Sequence, residues 1–175
     1  MATLFVDKID PQSGTSLEIG SSGDTISLPT GATMTVPSGA LSGQNYPAFK
    51  ALMTNAQAIS ANTSTVIQIN NEVFDIGGYF DTSTYRYTPP AGKYCFIGNV
   101  GNGTVESYLA GTIFKNGAAI VETVTDASNG ARVPVHVIDE ANGTDYYELR
   151  TYIPTGSSIL SANYRTFFSA FRLGS

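Results

Sequence analysis

Few residues in this chain could make or break bonds, and each stands without the partners such chemistry needs. His136 is the only histidine, so a Ser-His-Asp relay would have to run through it. It alternates with Val135 and Val137 in a run that reads as a strand, which puts its ring on a solvent or interface side. Cys95 is the only cysteine; no internal disulfide is possible, and its place between Tyr94 and Phe96 reads as a buried, inert thiol. Asp126-Ala127-Ser128-Asn129-Gly130 has some character of a calcium loop, but Val137 stands where the twelfth-position Glu is needed. Asp139, Glu140 and Asp145 flank an Asn142-Gly143 turn, where three copies around an axis could gather charge about a cation; the plainer reading is a solvated turn. Asp81 follows an aromatic residue and reads as structural. No glycine-rich phosphate loop, metal-spaced Cys/His set or dinucleotide fingerprint occurs. The expectation is a protein with no catalytic, cofactor-binding or metal residues, and therefore no enzyme. Tyr146, Tyr147, Tyr152 and Tyr164 remain: exposed, they suit carbohydrate or protein recognition, and buried, a core or subunit interface.

Composition narrows the classes further. The chain has 175 residues, 42% hydrophobic and only 13% charged, about half the usual ~25% charged share. Low charge with many Tyr, Thr, Ser and Asn suits surfaces that meet other protein. The net charge is −5 and the basic residues are scattered, which argues against nucleic acid as a partner. The opening residues carry no basic or long apolar region of a secretory signal, and no apolar run is long enough to span a bilayer, so neither export nor membrane insertion is expected. The single cysteine fits assembly in a reducing cytoplasm. Asn62-Thr63-Ser64, Asn102-Gly103-Thr104 and Asn142-Gly143-Thr144 match the glycosylation pattern, but without a secretory route they read as turns.

Two blocks organise the chain. In residues 1–43, Ile26-Ser27-Leu28-Pro29-Thr30-Gly31-Ala32-Thr33 is followed directly by Met34-Thr35-Val36-Pro37-Ser38-Gly39-Ala40-Leu41. Each copy is a very short extended piece and a turn. One copy has too little apolar surface to offset the entropy of ordering its backbone, so cover from identical chains or from a host surface is expected. The predicted form is a short β-stalk. Residues 46–175 read as almost wholly β. Ala48–Ala61, rich in Ala, Lys, Leu, Met and Gln, is the one predicted helix, although it lacks clear caps. Val66–Asn70 reads as a strand. Tyr94, Phe96, Gly98 and Val100 share one strand face. Lys115-Asn116-Gly117 joins Leu109–Phe114 to Ala119–Thr125, and Asn-Gly between apolar runs signals a hairpin. Val133, Val135 and Val137 alternate with Pro134, His136 and Ile138; Pro134 belongs on an edge strand or bulge. Tyr147, Leu149, Thr151 and Ile153 alternate in the same way. The closing run, Thr166 to Leu173, puts Phe167, Ser169, Phe171 and Leu173 on one face and Phe168 and Ala170 on the other. A strand apolar on both faces wants cover on both, and the Phe168 face is expected to meet neighbouring subunits.

The stretch Phe80-Asp81-Thr82-Ser83-Thr84-Tyr85-Arg86-Tyr87-Thr88-Pro89-Pro90-Ala91-Gly92-Lys93-Tyr94-Cys95-Phe96 resembles the central motif of the C1q/tumour-necrosis-factor-like jelly roll. Pro47-Ala48-Phe49 resembles that family's opening strand, Lys115-Asn116-Gly117 its central hairpin, and Phe168-Ser169-Ala170-Phe171 its closing strand. The departures are Tyr85, where the family often has Gly, a spacing before Pro89 one residue short, and Thr155-Gly156-Ser157 in place of the usual Gly-Asp. The resemblance implies a ten-strand antiparallel sandwich over 46–175 and a homotrimer with the closing strand near its axis. Val6 to Gly20, with Gly23-Asp24-Thr25 and Pro29-Thr30-Gly31 after it, resembles the openings of tail-fibre and other appendage proteins of tailed bacteriophages. That likeness implies a virion-surface protein, made in the host cytoplasm and attached through residues 1–43 to a capsid, tail or neck protein. The expected function is a homotrimeric short fibre or capsid decoration protein displaying a C-terminal knob. The alternative is a receptor-binding fibre tip recognising a host surface glycan or protein. A jelly-roll glycan hydrolase using Asp126, Asp139 and Asp145, and a cellular C1q-like ligand, are the competing classes.

Overall fold

Period-two alternation of buried and exposed side chains organises most of the chain after residue 46. The computed structural model describes residues 14, 19–34, 46–103, 108–126, 131–154, 157–160 and 163–174. The chain divides into two units, residues 1–42 and 43–175.

In the first unit the regular features among the described residues are two tight turns rather than strands. Asp24 N donates to Ser21 O and Ala32 N donates to Pro29 O, both at 3.0 Å. Gly23 and Gly31 hold the third positions at φ of 96° and 89°, a conformation that costs glycine little and other residues much. Ile26, Leu28 and Met34 are exposed. The second copy of the eight-residue repeat beyond Met34, and most of the Val6–Gly20 opening, lie outside the described residues.

The second unit is an antiparallel sandwich, with no helix among the described residues. Its strands are β1 (Ala48–Met53), β2 (Gln57–Ser60), β3 (Thr65–Val66), β4 (Asn71–Ile76), β5 (Phe80–Asp81), β6 (Arg86–Tyr87), β7 (Gly92–Gly101), β8 (Leu109–Lys115), β9 (Ala118–Thr125), β10 (Arg132–Ala141), β11 (Tyr147–Tyr152), β12 (Ser157–Leu160) and β13 (Asn163–Gly174). One sheet runs β10-β7-β13-β1-β4; the other runs β5-β6-β11-β8-β9, with β3 also on β11; β2 and β12 pair separately. An aromatic seam joins the two large sheets. Phe49 stacks on Tyr87 at 4.2 Å and Phe96 on Tyr147 at 4.0 Å between ring centroids. Burial of these rings with Ile113, Leu149, Val133, Val135 and Phe168 forms one core.

Three expectations from sequence are corrected. The predicted helix over Ala48–Ala61 is two strands, β1 and β2. Phe49, Ala51 and Met53 are buried while Lys50 is exposed, so period-two burial overrides helix-favouring composition; the family resemblance at Pro47-Ala48-Phe49 was the better guide. The strand expected at Val66–Asn70 is paired only at Thr65–Val66. Ile67 and Ile69 are buried from an irregular segment, and the next regular strand starts at Asn71. Phe168 lies in the core, packed edge-on against Phe49 at 5.2 Å, and does not meet neighbouring subunits. The uncovered side of β13 is the other one, with Phe171 and Leu173 exposed.

Pro134 sits on β10, an edge strand, where its missing N–H costs no ladder bond. The Asn-Gly hairpin forms between β8 and β9, with Asn116 and Gly117 at φ of 51° and 81°, the two left-handed positions of a type I′ turn.

Candidate functional site

Cross-strand partners share a side of a sheet, so register fixes what the first sheet shows to its outside. Ile138 opposes Cys95, Cys95 opposes Phe171, Phe171 opposes Ala48, and Ala48 opposes Ile76. One apolar row therefore crosses all five strands. Ile138 is 66%, Phe171 44% and Ile76 41% exposed. The next row reads His136, Ile97, Ser169, Lys50, Phe74, and Phe74 is also exposed. A row of this kind, on the outside of a well-packed sandwich, is a candidate interaction surface. Cys95 is half-buried on this outer side, not sealed in the core, because β7 turns Tyr94 and Phe96 inward. His136 is exposed, flanked by exposed Pro134 and Ile138. His136 and Cys95 both belong to the apolar face and not to a cleft.

The carboxylates suspected of gathering a cation already hold one. Lys115 Nζ lies 2.8 Å from Asp139 Oδ2 and 3.2 Å from Asp145 Oδ2, and donates to Glu140 O at 2.7 Å. Tyr147 OH donates to Asp139 Oδ2 at 2.6 Å. Asn116 Nδ2 donates to Asp145 Oδ1 at 2.7 Å and Asn142 N to Asp145 Oδ2 at 3.0 Å. Burial alone would depress the Lys115 ammonium, but its bonds to Asp139 and Asp145 outweigh that and hold it above its usual range. Burial likewise pushes Asp139 and Asp145 up; donation by Lys115 with Tyr147 at Asp139, and by Asn116, Asn142 and Lys115 at Asp145, leaves both below the usual carboxylate range. Burial and Asp139 raise the Tyr147 phenol. The cluster ties the β8–β9 turn to the end of β10 and the start of β11.

Asp81 is engaged within its own turn. It accepts from Ser83 N at 2.8 Å, Ser83 Oγ at 2.6 Å and Thr84 Oγ1 at 2.8 Å, and these bonds hold it at about 2. Tyr85 follows in this turn at φ 62°, which explains why the resembled family favours glycine there. Asp126 is exposed, and residues 127–130 of the suspected calcium loop lie outside the described residues, as does Thr155-Gly156. The tyrosines divide: Tyr147 is core, Tyr146 and Tyr152 are half-buried, and Tyr164 is exposed. A cleft of about 480 Å³ is lined by Ala91, Gly92, Glu140, Ala141, Asn142 and Arg172.

Sequence reasoning missed a cluster on the outside of the second sheet. Glu148 has a side chain with 0% exposure although its strand position faces outward; Arg86 Nε at 3.1 Å and Arg150 Nη2 at 2.5 Å cover it. Arg86 lies over the Tyr146 ring at 4.0 Å and Arg150 over Phe114 at 4.5 Å. Arg86 and Glu148 are 62 residues apart in the chain, so no local pattern announces their pairing.

The architecture superposes on solved domains at the level of the fold. The globular domain of zebrafish complement 1qA superposes with a TM-score of 0.56 at 14% identity, over 73% of this chain and 97% of that one. Murine APRIL gives 0.61 at 12% identity, over 73% and 99%. Eiger TNF from S. frugiperda gives 0.61 at 8% identity, over 75% and 95%. The fold is that of C1q and TNF jelly-roll domains. At such identities the likeness is one of fold alone. No protein-family model and no curated protein matches the sequence. The C1q/TNF-like sandwich places the apolar row on the sheet that contains the closing strand β13 at its centre.

Proposed function

We propose that this chain is a non-catalytic structural protein of a tailed-bacteriophage virion, a homotrimeric short fibre or capsid decoration protein. Residues 1–43 attach it to another virion protein and the C1q-like sandwich is the displayed knob. The observation that carries self-association is the row Ile138–Cys95–Phe171–Ala48–Ile76, which is apolar from edge to edge and uncovered in a single chain. Three copies meeting on this face would each bury it, and closed cyclic symmetry leaves no growing end. The low charged fraction of 13% and the candidate carboxylates' engagement with Lys115 support a mechanical role over a catalytic one. The wording of the N-terminal block, with its Gly-Asp-Thr and Pro-Thr-Gly turns, supports the virion setting. Imaging of phage particles with an antibody to the knob tests this reading: label at the capsid or tail surface is expected, and unlabelled, intact particles would overturn it.

A further inference from the structure

We propose that the outer face of the second sheet, centred on Arg86, binds the carboxylate of an acidic saccharide. The guanidinium is held from two sides: its Nε donates to the fully covered Glu148, and its Cζ lies over the Tyr146 ring, 4.0 Å from the centroid. Its side chain is nevertheless 40% exposed, and among the described residues Nη1 and Nη2 have no acceptor. One edge of the fork is thus spent on Glu148, and the other is held open toward solvent with its orientation already set. That edge matches a carboxylate's two oxygens, and pre-orientation removes much of the ordering cost of binding. Arg150 is not the open group, because Nε and Nη2 both go to Glu148 Oε1. Asp81, the cross-strand partner of Arg86, commits its oxygens to Ser83 and Thr84 and leaves the open edge free.

The surroundings favour a sugar over an acidic peptide. Tyr146 stands just before β11, and Glu148, Arg150 and Tyr152 follow on the outward side of that strand, so two phenol rings stand about 20 Å apart with the arginines between them. Tyr152 OH donates to Asn62 Oδ1 at 3.1 Å and its ring meets Tyr108 edge-on. Rings and an amide along this strip suit the C–H faces and hydroxyls of an extended oligosaccharide. This face belongs to the sheet opposite the apolar row, so the proposal holds whether or not three copies assemble.

The test is NMR titration of the full chain with galacturonate, glucuronate and sialic-acid oligosaccharides, alongside their methyl esters and a tri-glutamate peptide. At least one acidic sugar is expected to bind with shifts at Tyr146. Arg86→Lys, which keeps the charge and loses the fork, is expected to weaken binding about tenfold, as is esterification. Arg86→Gln is the second variant, with near-UV circular dichroism confirming the native sandwich for each. Binding by none of the acids, equal binding of acid and ester, undiminished binding by Arg86→Lys, or equal affinity for tri-glutamate would each overturn the proposal. Light scattering of the same samples reads assembly separately.

Discussion

Phe171→Ala separates assembly from folding, because Phe171 and Phe168 are neighbours on one strand but face opposite ways. Phe171 is 44% exposed in the single chain. A phenylalanine side chain offers about 200 Å², so about 90 Å² of this one is left for a neighbouring copy to cover. At ~25 cal/mol per Å² that is about 2 kcal/mol per copy. Three copies lose about 6–7 kcal/mol together, roughly 10⁵-fold in the three-body dissociation constant. Sedimentation equilibrium across a dilution series measures that constant, and thermal unfolding of the dissociated protein measures the sandwich. Phe171→Ala is expected to move the first strongly and to lower the unfolding midpoint of the single copy less than Phe168→Ala does, because Phe171 is only partly covered by its own chain while Phe168 is wholly so. Phe168→Ala is expected to cost about 3–5 kcal/mol of folding stability instead, as core phenylalanine truncations do. A Phe171→Ala protein that assembles with the wild-type constant would refute the assignment of this face.

Tyr85→Gly is expected to raise folding stability by about 1 kcal/mol in urea unfolding, since Tyr85 sits at φ 62° where a Cβ is strained. Gly98→Ala should lower it by about 1–3 kcal/mol in the same assay, because a Cβ there would lie 2.6 Å from Leu149 Cδ1 and 3.1 Å from Val135 Cγ1. Asp139 and Asp145 titrate below their ordinary range, so their contribution is present above about pH 4 and lost as pH falls through and below that value. Lys115 and Tyr147 titrate above theirs, so their contribution is present below about pH 10 and lost as pH climbs past it. Lys115→Met leaves two carboxylates facing each other without their cation. It is expected to cost about 2–3 kcal/mol at neutral pH, and to flatten or reverse the acid limb of a stability–pH profile.

The sequence was most informative where structure follows from neighbouring residues. The Asn116-Gly117 turn, the alternation in β7, β10 and β11, and the edge position of Pro134 all rest on local sterics and period-two patterning, and all were legible. The helix misreading at Ala48–Ala61 came from composition, which the burial of Phe49, Ala51 and Met53 overrides. The Phe168 error has a different origin. Parity along a strand says which side chains share a face, but when both faces are apolar it does not say which one points inward. The order of strands settles that, and it depends on pairings such as β13 with β7, which lie some seventy residues apart in the chain. The Lys115–Asp139–Asp145 and Arg86–Glu148–Arg150 clusters were invisible for the same reason. Each depends on a partner distant in the chain, Arg86 for Glu148 and Lys115 for the two aspartates, and the residues that look like a cation loop in sequence are consumed by a lysine that sequence places elsewhere.

The most direct test of the central claim is a density map of the purified full chain at side-chain detail. Three copies around one axis are expected, with Ile138, Phe171 and Ile76 of each copy covered by its neighbours. Single copies with that row open to water, or assemblies joined through the opposite sheet, would contradict it.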